Sequence, residues 1–154
     1  MRTSGLSQIA LLIGAMGLSM TFAGCGTAPP PPRATTRAPE AFDPRVYYGR
    51  RAVSVQRGEA SYYADKFAGR RTANGETYQP GAYTAAHRSL PFGSVLRVIR
   101  ERTGDWVLVR VNDRGPYGSR TRVLDLSKQA AKRLSMLRDG VVRVRLEILE
   151  MGPR

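Results

Sequence analysis

Ser94-Val95-Leu96-Arg97-Val98-Ile99-Arg100 and Trp106-Val107-Leu108-Val109-Arg110-Val111 are the stretches whose reading decides the fold. Both are runs rich in β-branched residues with partial alternation, and Arg102-Thr103-Gly104-Asp105 lies between them, so the pair predicts a β-hairpin. Further along, residues 141–149 place apolar side chains at even positions and charged ones at odd positions until Ile148, as a strand with one buried face does. Residues 58–64 and 83–86 predict weaker strands. One helix is signalled. Ser127 can cap it, Ala130, Ala131 and Leu134 give a short apolar stripe, Lys128, Lys132 and Arg133 would face solvent, and Gly140 ends the segment. Many short strands with one short helix imply a small closed barrel rather than a layered α/β fold. The pattern bounds a single folded domain at residues 58–150, without internal repeats.

Upstream of that domain the composition changes twice. Arg2 is the only charge before an apolar run from Ile9 to Phe22, closed by Ala23-Gly24-Cys25. The run is too short to span a bilayer and ends in small residues, so residues 1–25 read as an export signal. Cys25 is the only cysteine, which excludes internal disulfides and cysteine-based metal sites. Its setting resembles a bacterial lipobox, in which the thiol is acylated and becomes the new amino terminus; ordinary secretion with a free thiol is the alternative. Acylation would anchor the protein to a membrane without spanning it. Gly26 in place of an aspartate implies, by the same resemblance, an outer-membrane address facing the periplasm. Residues 26–57, with Pro29 to Pro32 in an unbroken row, read as an extended tether. The formal charge of +13 would ordinarily suggest nucleic acid, but an exported protein meets little of it. The basic surface can instead hold peptidoglycan carboxylates or anionic head groups, or be a solvated face.

Chemistry concentrates in three blocks: Thr72-Ala73-Asn74-Gly75-Glu76, residues 84–93 around His87, and Val111-Asn112-Asp113-Arg114-Gly115-Pro116. Each places an ionisable side chain beside a turn-forming glycine or proline, and loops on a rigid scaffold are where reactive groups usually sit. Asp113 ends a β-patterned run, where a carboxylate either projects into a groove or starts an Asx-turn. Glu76 follows a turn pair and is otherwise a solvated glutamate. His87, the only histidine, is either a hydrogen-bonded structural residue or part of an acid/base set, and alone it makes no metal site. Asp125 lies just before the helix and can support its N-terminus. No phosphate-binding glycine loop and no nucleophilic serine elbow is present.

From Gly58 through Leu149, these blocks resemble the rare lipoprotein A (RlpA-like) family, together with Ala60-Ser61-Tyr62-Tyr63, Leu124-Asp125-Leu126-Ser127 and Ala130-Ala131. The resemblance implies a mainly β fold, a six-stranded double-psi β-barrel with one or two short helices, related to expansins. It also implies a lytic transglycosylase that cleaves the MurNAc–GlcNAc β-1,4 bond of peptide-poor peptidoglycan strands and leaves a 1,6-anhydro end. No cofactor and no metal is implied. The family's functional residues fall on Glu76, His87 and Asp113, with Asp113 as the expected acid/base and Asp125 as the rival acid. Tyr78, Arg88, Asn112 and Arg114, their neighbours in the chain, are the expected substrate-binding residues. Gln79 stands where members often carry an aspartate. Many members also carry a C-terminal SPOR domain, which these residues do not include, so septal targeting is not expected. The partners implied are glycan strands, a membrane through Cys25 and envelope or division proteins, with the chain a monomer. Two rivals of other classes remain: a non-catalytic wall-binding lipoprotein using Tyr62, Tyr63, Tyr78, Tyr83 or Tyr117, and a basic tether between membrane and wall.

Overall fold

Six strands and one helix follow each other in the computed structural model, which describes residues 42–153: β1 (Ser54–Tyr62), β2 (Thr84–His87), β3 (Val95–Arg100), β4 (Trp106–Asp113), β5 (Arg122–Leu126), α1 (Lys128–Arg133) and β6 (Val142–Glu150). The expected signal, Cys25 and the proline row lie outside the described residues. The strands close into a barrel in the order β1-β5-β2-β4-β3-β6. Two of the neighbouring pairs, β1–β5 and β2–β4, run parallel, and the others run antiparallel. This is the mainly β, six-stranded double-psi barrel with a short helix that the resemblance implied.

The hairpin that opened the sequence reading is β3–β4, with Ile99 opposite Trp106 and Val95 opposite Arg110. The alternation in residues 141–149 becomes β6. Val142, Val144, Leu146 and Ile148 are buried beside Leu96 and Val98 of β3, Val107, Val109 and Val111 of β4, and Leu124 and Leu126 of β5. Each such side chain taken fully out of water contributes about 1.5–3 kcal/mol, so this shared interior is the main force closing the barrel. Ser127 caps α1 as expected. Its Oγ accepts from Ala130 N (3.3 Å) and donates to Ala82 O (2.5 Å), which ties the helix start to the segment entering β2.

Two differences from the sequence reading concern the site. β1 begins at Ser54 rather than near Gly58. Residues 122–126, which in sequence look only like the approach to the helix, form β5, a full barrel strand with β1 on one side and β2 on the other. Five residues are too few for alternation to declare itself; the two flanking ladders hold β5 in place. Asp125 therefore stands in a strand flanked by two others.

Candidate active site

The registers of β5, β2 and β4 bring two aspartates to one face. Ala86 of β2 lies opposite Asp125 of β5 on one side and opposite Asp113 of β4 on the other. Ser61 of β1 continues the row, opposite Asp125. A register shift between Ala85 and Ala86 brings Asp113 into line with Ala86. With strands about 4.8 Å apart, the two aspartate Cα atoms stand on the order of 10 Å from each other. Gly115, at φ +146°, passes over the row. A Cβ there would lie 3.5 Å from Asp125 Oδ2 and 3.7 Å from the Ala86 methyl, so backbone closes over Ala86 beside the second aspartate.

The two carboxylates are held differently. Asp113 accepts three hydrogen bonds: from Tyr63 Oη to Oδ2 (2.6 Å), and from the backbone N–H groups of Ala73 and Arg114 to Oδ1 (both 2.8 Å). The Arg114 bond goes to the N–H of the next residue rather than to the one two residues on that an Asx-turn uses, and the other two reach segments distant along the chain. Asp125 accepts from the Ser61 hydroxyl at Oδ1, and Arg122 Nη1 donates to the same Ser61 oxygen (3.1 Å).

Glu76 sits in a cage of donors. Arg110 Nη1 and Nη2 reach its two oxygens at 2.7 and 2.9 Å, and the amides of Asn74 and Asn112 donate at 2.9 Å each. The paired guanidinium, with the two amides, holds its carboxyl down at about 2 against the pull of burial, so it is an anion at neutral pH. Asn112 is 97% buried in making this contact, and its C=O accepts from Asn74 N (3.3 Å). The 72–76 turn is thus pinned against the end of β4 through Asn112 and Asp113.

His87 belongs to the other face of β2, opposite the core residue Leu124. Its Nδ1 accepts from the backbone N–H groups of Ser89 (3.2 Å) and Leu90 (3.0 Å), so the proton resides on Nε2, which donates to Gln56 Oε1 (3.0 Å). Burial, then the charges of Arg114 and Arg88, push its pKa down and keep the ring neutral. Both nitrogens are engaged inside the protein, by neither a carboxylate nor an open groove.

The four expected substrate-binding residues are also engaged internally. Tyr78 is buried, with its ring 4.7 Å from that of Tyr63. Arg88 staples the loop after β4, donating to the carbonyls of Pro116 (2.7 Å), Ser119 and Arg122 (3.0 Å). Asn112 holds Glu76. The Arg114 guanidinium lies 3.7 Å from the centre of the Phe92 ring and donates to the carbonyls of His87 (3.2 Å) and Leu90 (2.9 Å). Of the five tyrosines considered as an aromatic platform, Tyr117 is the exposed one, two residues beyond Gly115. The structure therefore unites Asp113, Asp125 and the turn of Glu76, and places His87 behind them. Sequence reasoning missed Ser61, Arg110 and Gln56 as partners. The period-two spacing of Ser61 and Tyr63 was the available sign for the first.

Comparison with known proteins agrees with this fold. The family model described as lytic transglycolase matches residues 55–146. The chain is 54% identical over 92 residues to the "probable endolytic peptidoglycan transglycosylase RlpA" of Treponema pallidum, covering 60% of this chain and 29% of that one. It is 44% identical over 101 residues to the endolytic peptidoglycan transglycosylase RlpA of Neisseria meningitidis, covering 66% and 42%. The match to the protein of that name from Pseudomonas aeruginosa is 48% over 105 residues, covering 67% and 30%. The chain thus spans between 29% and 42% of the length of these relatives. Among solved structures, the Streptomyces papain inhibitor superposes with a TM-score of 0.52 at 23% identity, covering 64% of this chain and 97% of that one. The apo expansin of Clavibacter michiganensis does so with 0.52 at 18%, covering 66% and 53%. At such identities these two speak to the barrel alone. By the match across its strands, the chain belongs to the lytic transglycolase family.

Proposed function

We propose that this protein is an endolytic peptidoglycan transglycosylase that breaks the MurNAc–GlcNAc β-1,4 bond of peptide-poor strands. The observation that carries the reading is the pair Asp113 and Asp125, on one face either side of Ala86 and unequally bonded. Breaking a glycosidic bond needs a proton on the leaving oxygen and negative charge near an oxocarbenium-like carbon. Both oxygens of Asp113 are taken up by donors, which suits a fixed negative charge. Asp125 Oδ2 carries no protein hydrogen bond among the described residues, which suits a proton carrier.

In this mechanism Asp125 gives its proton to the glycosidic oxygen as the C1–O bond breaks, and the GlcNAc hydroxyl leaves. Asp113 stabilises the positive charge spread over C1 and the ring oxygen. The Asp125 carboxylate then takes the proton of the muramic C6 hydroxyl as O6 closes on C1. Asp125 ends protonated again, the product carries a 1,6-anhydro ring, and no water is consumed. Glu76 neutralises Arg110 and fixes the turn whose Ala73 N–H bonds Asp113.

Purified protein incubated with denuded glycan strands should release anhydro-ended fragments detectable by mass. Asp113→Asn and Asp125→Asn should each lower the rate at least about a hundredfold, as loss of a general acid or of charge stabilisation does. With an aryl MurNAc glycoside whose leaving group needs no proton, Asp125→Asn should regain release of the aryl group while closure of the anhydro ring, which needs the same carboxylate as base, stays slow, and Asp113→Asn should regain neither. The opposite rescue would exchange the two roles, and wild type without anhydro ends would sink the reaction.

The same proposal extends to the address: Cys25 carries the lipid and holds the enzyme at the outer membrane facing the periplasm. Its support is the signal pattern alone. Cys25→Ser should move the protein from the membrane fraction to the soluble one; unchanged fractionation would refute the anchor.

A further inference from the structure

Two hydroxyls at the end of β1 each serve one aspartate. Ser61 and Tyr63 are two residues apart, so their side chains leave the extended chain on the same side. Ser61 donates to Asp125, and Tyr63 donates to Asp113. Tyr62, between them, points the other way and donates to Leu137 O (2.9 Å). The Tyr63 ring is itself fixed. It packs at 4.7 Å against Tyr78 and edge-on at 5.8 Å against Phe67, and its backbone N–H bonds Leu126 O (3.0 Å). Burial, then the hydrogen bond to Asp113, pushes the phenol's pKa up, so it stays a neutral donor. Asp113 Oδ1 is already held by two backbone amides, which leaves Tyr63 as the side chain that sets the direction of Oδ2.

We propose that Tyr63 is a positioning residue of the reaction: its hydroxyl aims Asp113 Oδ2 at the anomeric carbon. This role presupposes the transglycosylase reading above, and the test separates the two. Tyr63→Phe keeps the ring contacts and removes only the hydroxyl. On denuded strands kcat should fall about tenfold, the scale of one hydrogen bond to a charged group, while KM and strand binding stay at wild-type values. Tyr62→Phe should leave kcat unchanged. A second readout needs no activity: the 13Cζ resonance of Tyr63 should shift in Asp113→Asn and stay put in Tyr62→Phe. Equal kcat in Tyr63→Phe and wild type, or a loss of strand binding in step with kcat, would overturn the assignment. So would a Tyr63 resonance unmoved by Asp113→Asn. If wild type yields no anhydro ends, the reaction reading fails, and the resonance still decides whether Tyr63 and Asp113 are joined.

Discussion

Glu76 and His87 are both held in their deprotonated forms, one an anion and the other neutral, and both make the protein sensitive to acid. His87 is held neutral below its unfolded value of 6.5, and Glu76 is held ionised down to about 2 against an unfolded 4.5. A group whose folded pKa is lowered stabilises the fold above its unfolded value, and that stabilisation is lost as pH falls through the folded value. Resistance to urea should therefore decline in two stages, one below about 6.5 and one between about 4.5 and 2. His87→Gln should flatten the first and Glu76→Gln the second, read as unfolding midpoints across pH. Glu76→Gln should also cost about 1–3 kcal/mol at neutral pH, because it leaves Arg110 half-buried without its bidentate partner. Residue types and the family blocks made both groups legible as a site, but not their roles. Those follow from Arg110 of β4 and from Gln56 of β1, thirty-one positions upstream of His87.

β1 and β5 form the parallel pair on which Asp125 depends, and their closeness has one visible requirement. A Cβ at Gly58 would sit 2.7 Å from both γ-carbons of Val123 and 3.0 Å from Thr121 O. Val123 has no flexible end with which to give way. Gly58→Ala should therefore cost about 1–3 kcal/mol by overpacking, measured by chemical denaturation, and Val123→Ala added to it should recover part of the loss. If Gly58→Ala were neutral, the close approach of the two strands would be disproved. At this scale the long elements were legible. The hairpin and β6 announce themselves because six to nine residues repeat a period of two, and α1 announces itself through Ser127 and the alanines. β5 did not, because Arg122–Leu126 gains its strand character from neighbours distant along the chain.

The whole molecule is strongly basic, at +13, while its candidate reacting centre is a pair of aspartates. Charge on that scale draws an anionic polymer toward the protein without choosing a bond in it. Attachment to isolated sacculi should accordingly weaken as salt shortens the screening length from about 10 Å at 0.1 M to about 3 Å at 1 M. In co-sedimentation, Asp113→Asn and Asp125→Asn should bind as well as wild type at low salt; salt-independent attachment would rule out the electrostatic account. Composition, the period-two runs and the motif blocks were enough to determine the family, the barrel and which acidic residues to watch, because those properties reside in short stretches of chain. Only the closed barrel decided that Asp113 and Asp125 flank one alanine, that Tyr63 and Ser61 divide their service between them, and that His87 turns inward. Each of those facts depends on register between strands far apart in sequence, and register is set by the shared core rather than by any residue's immediate neighbours.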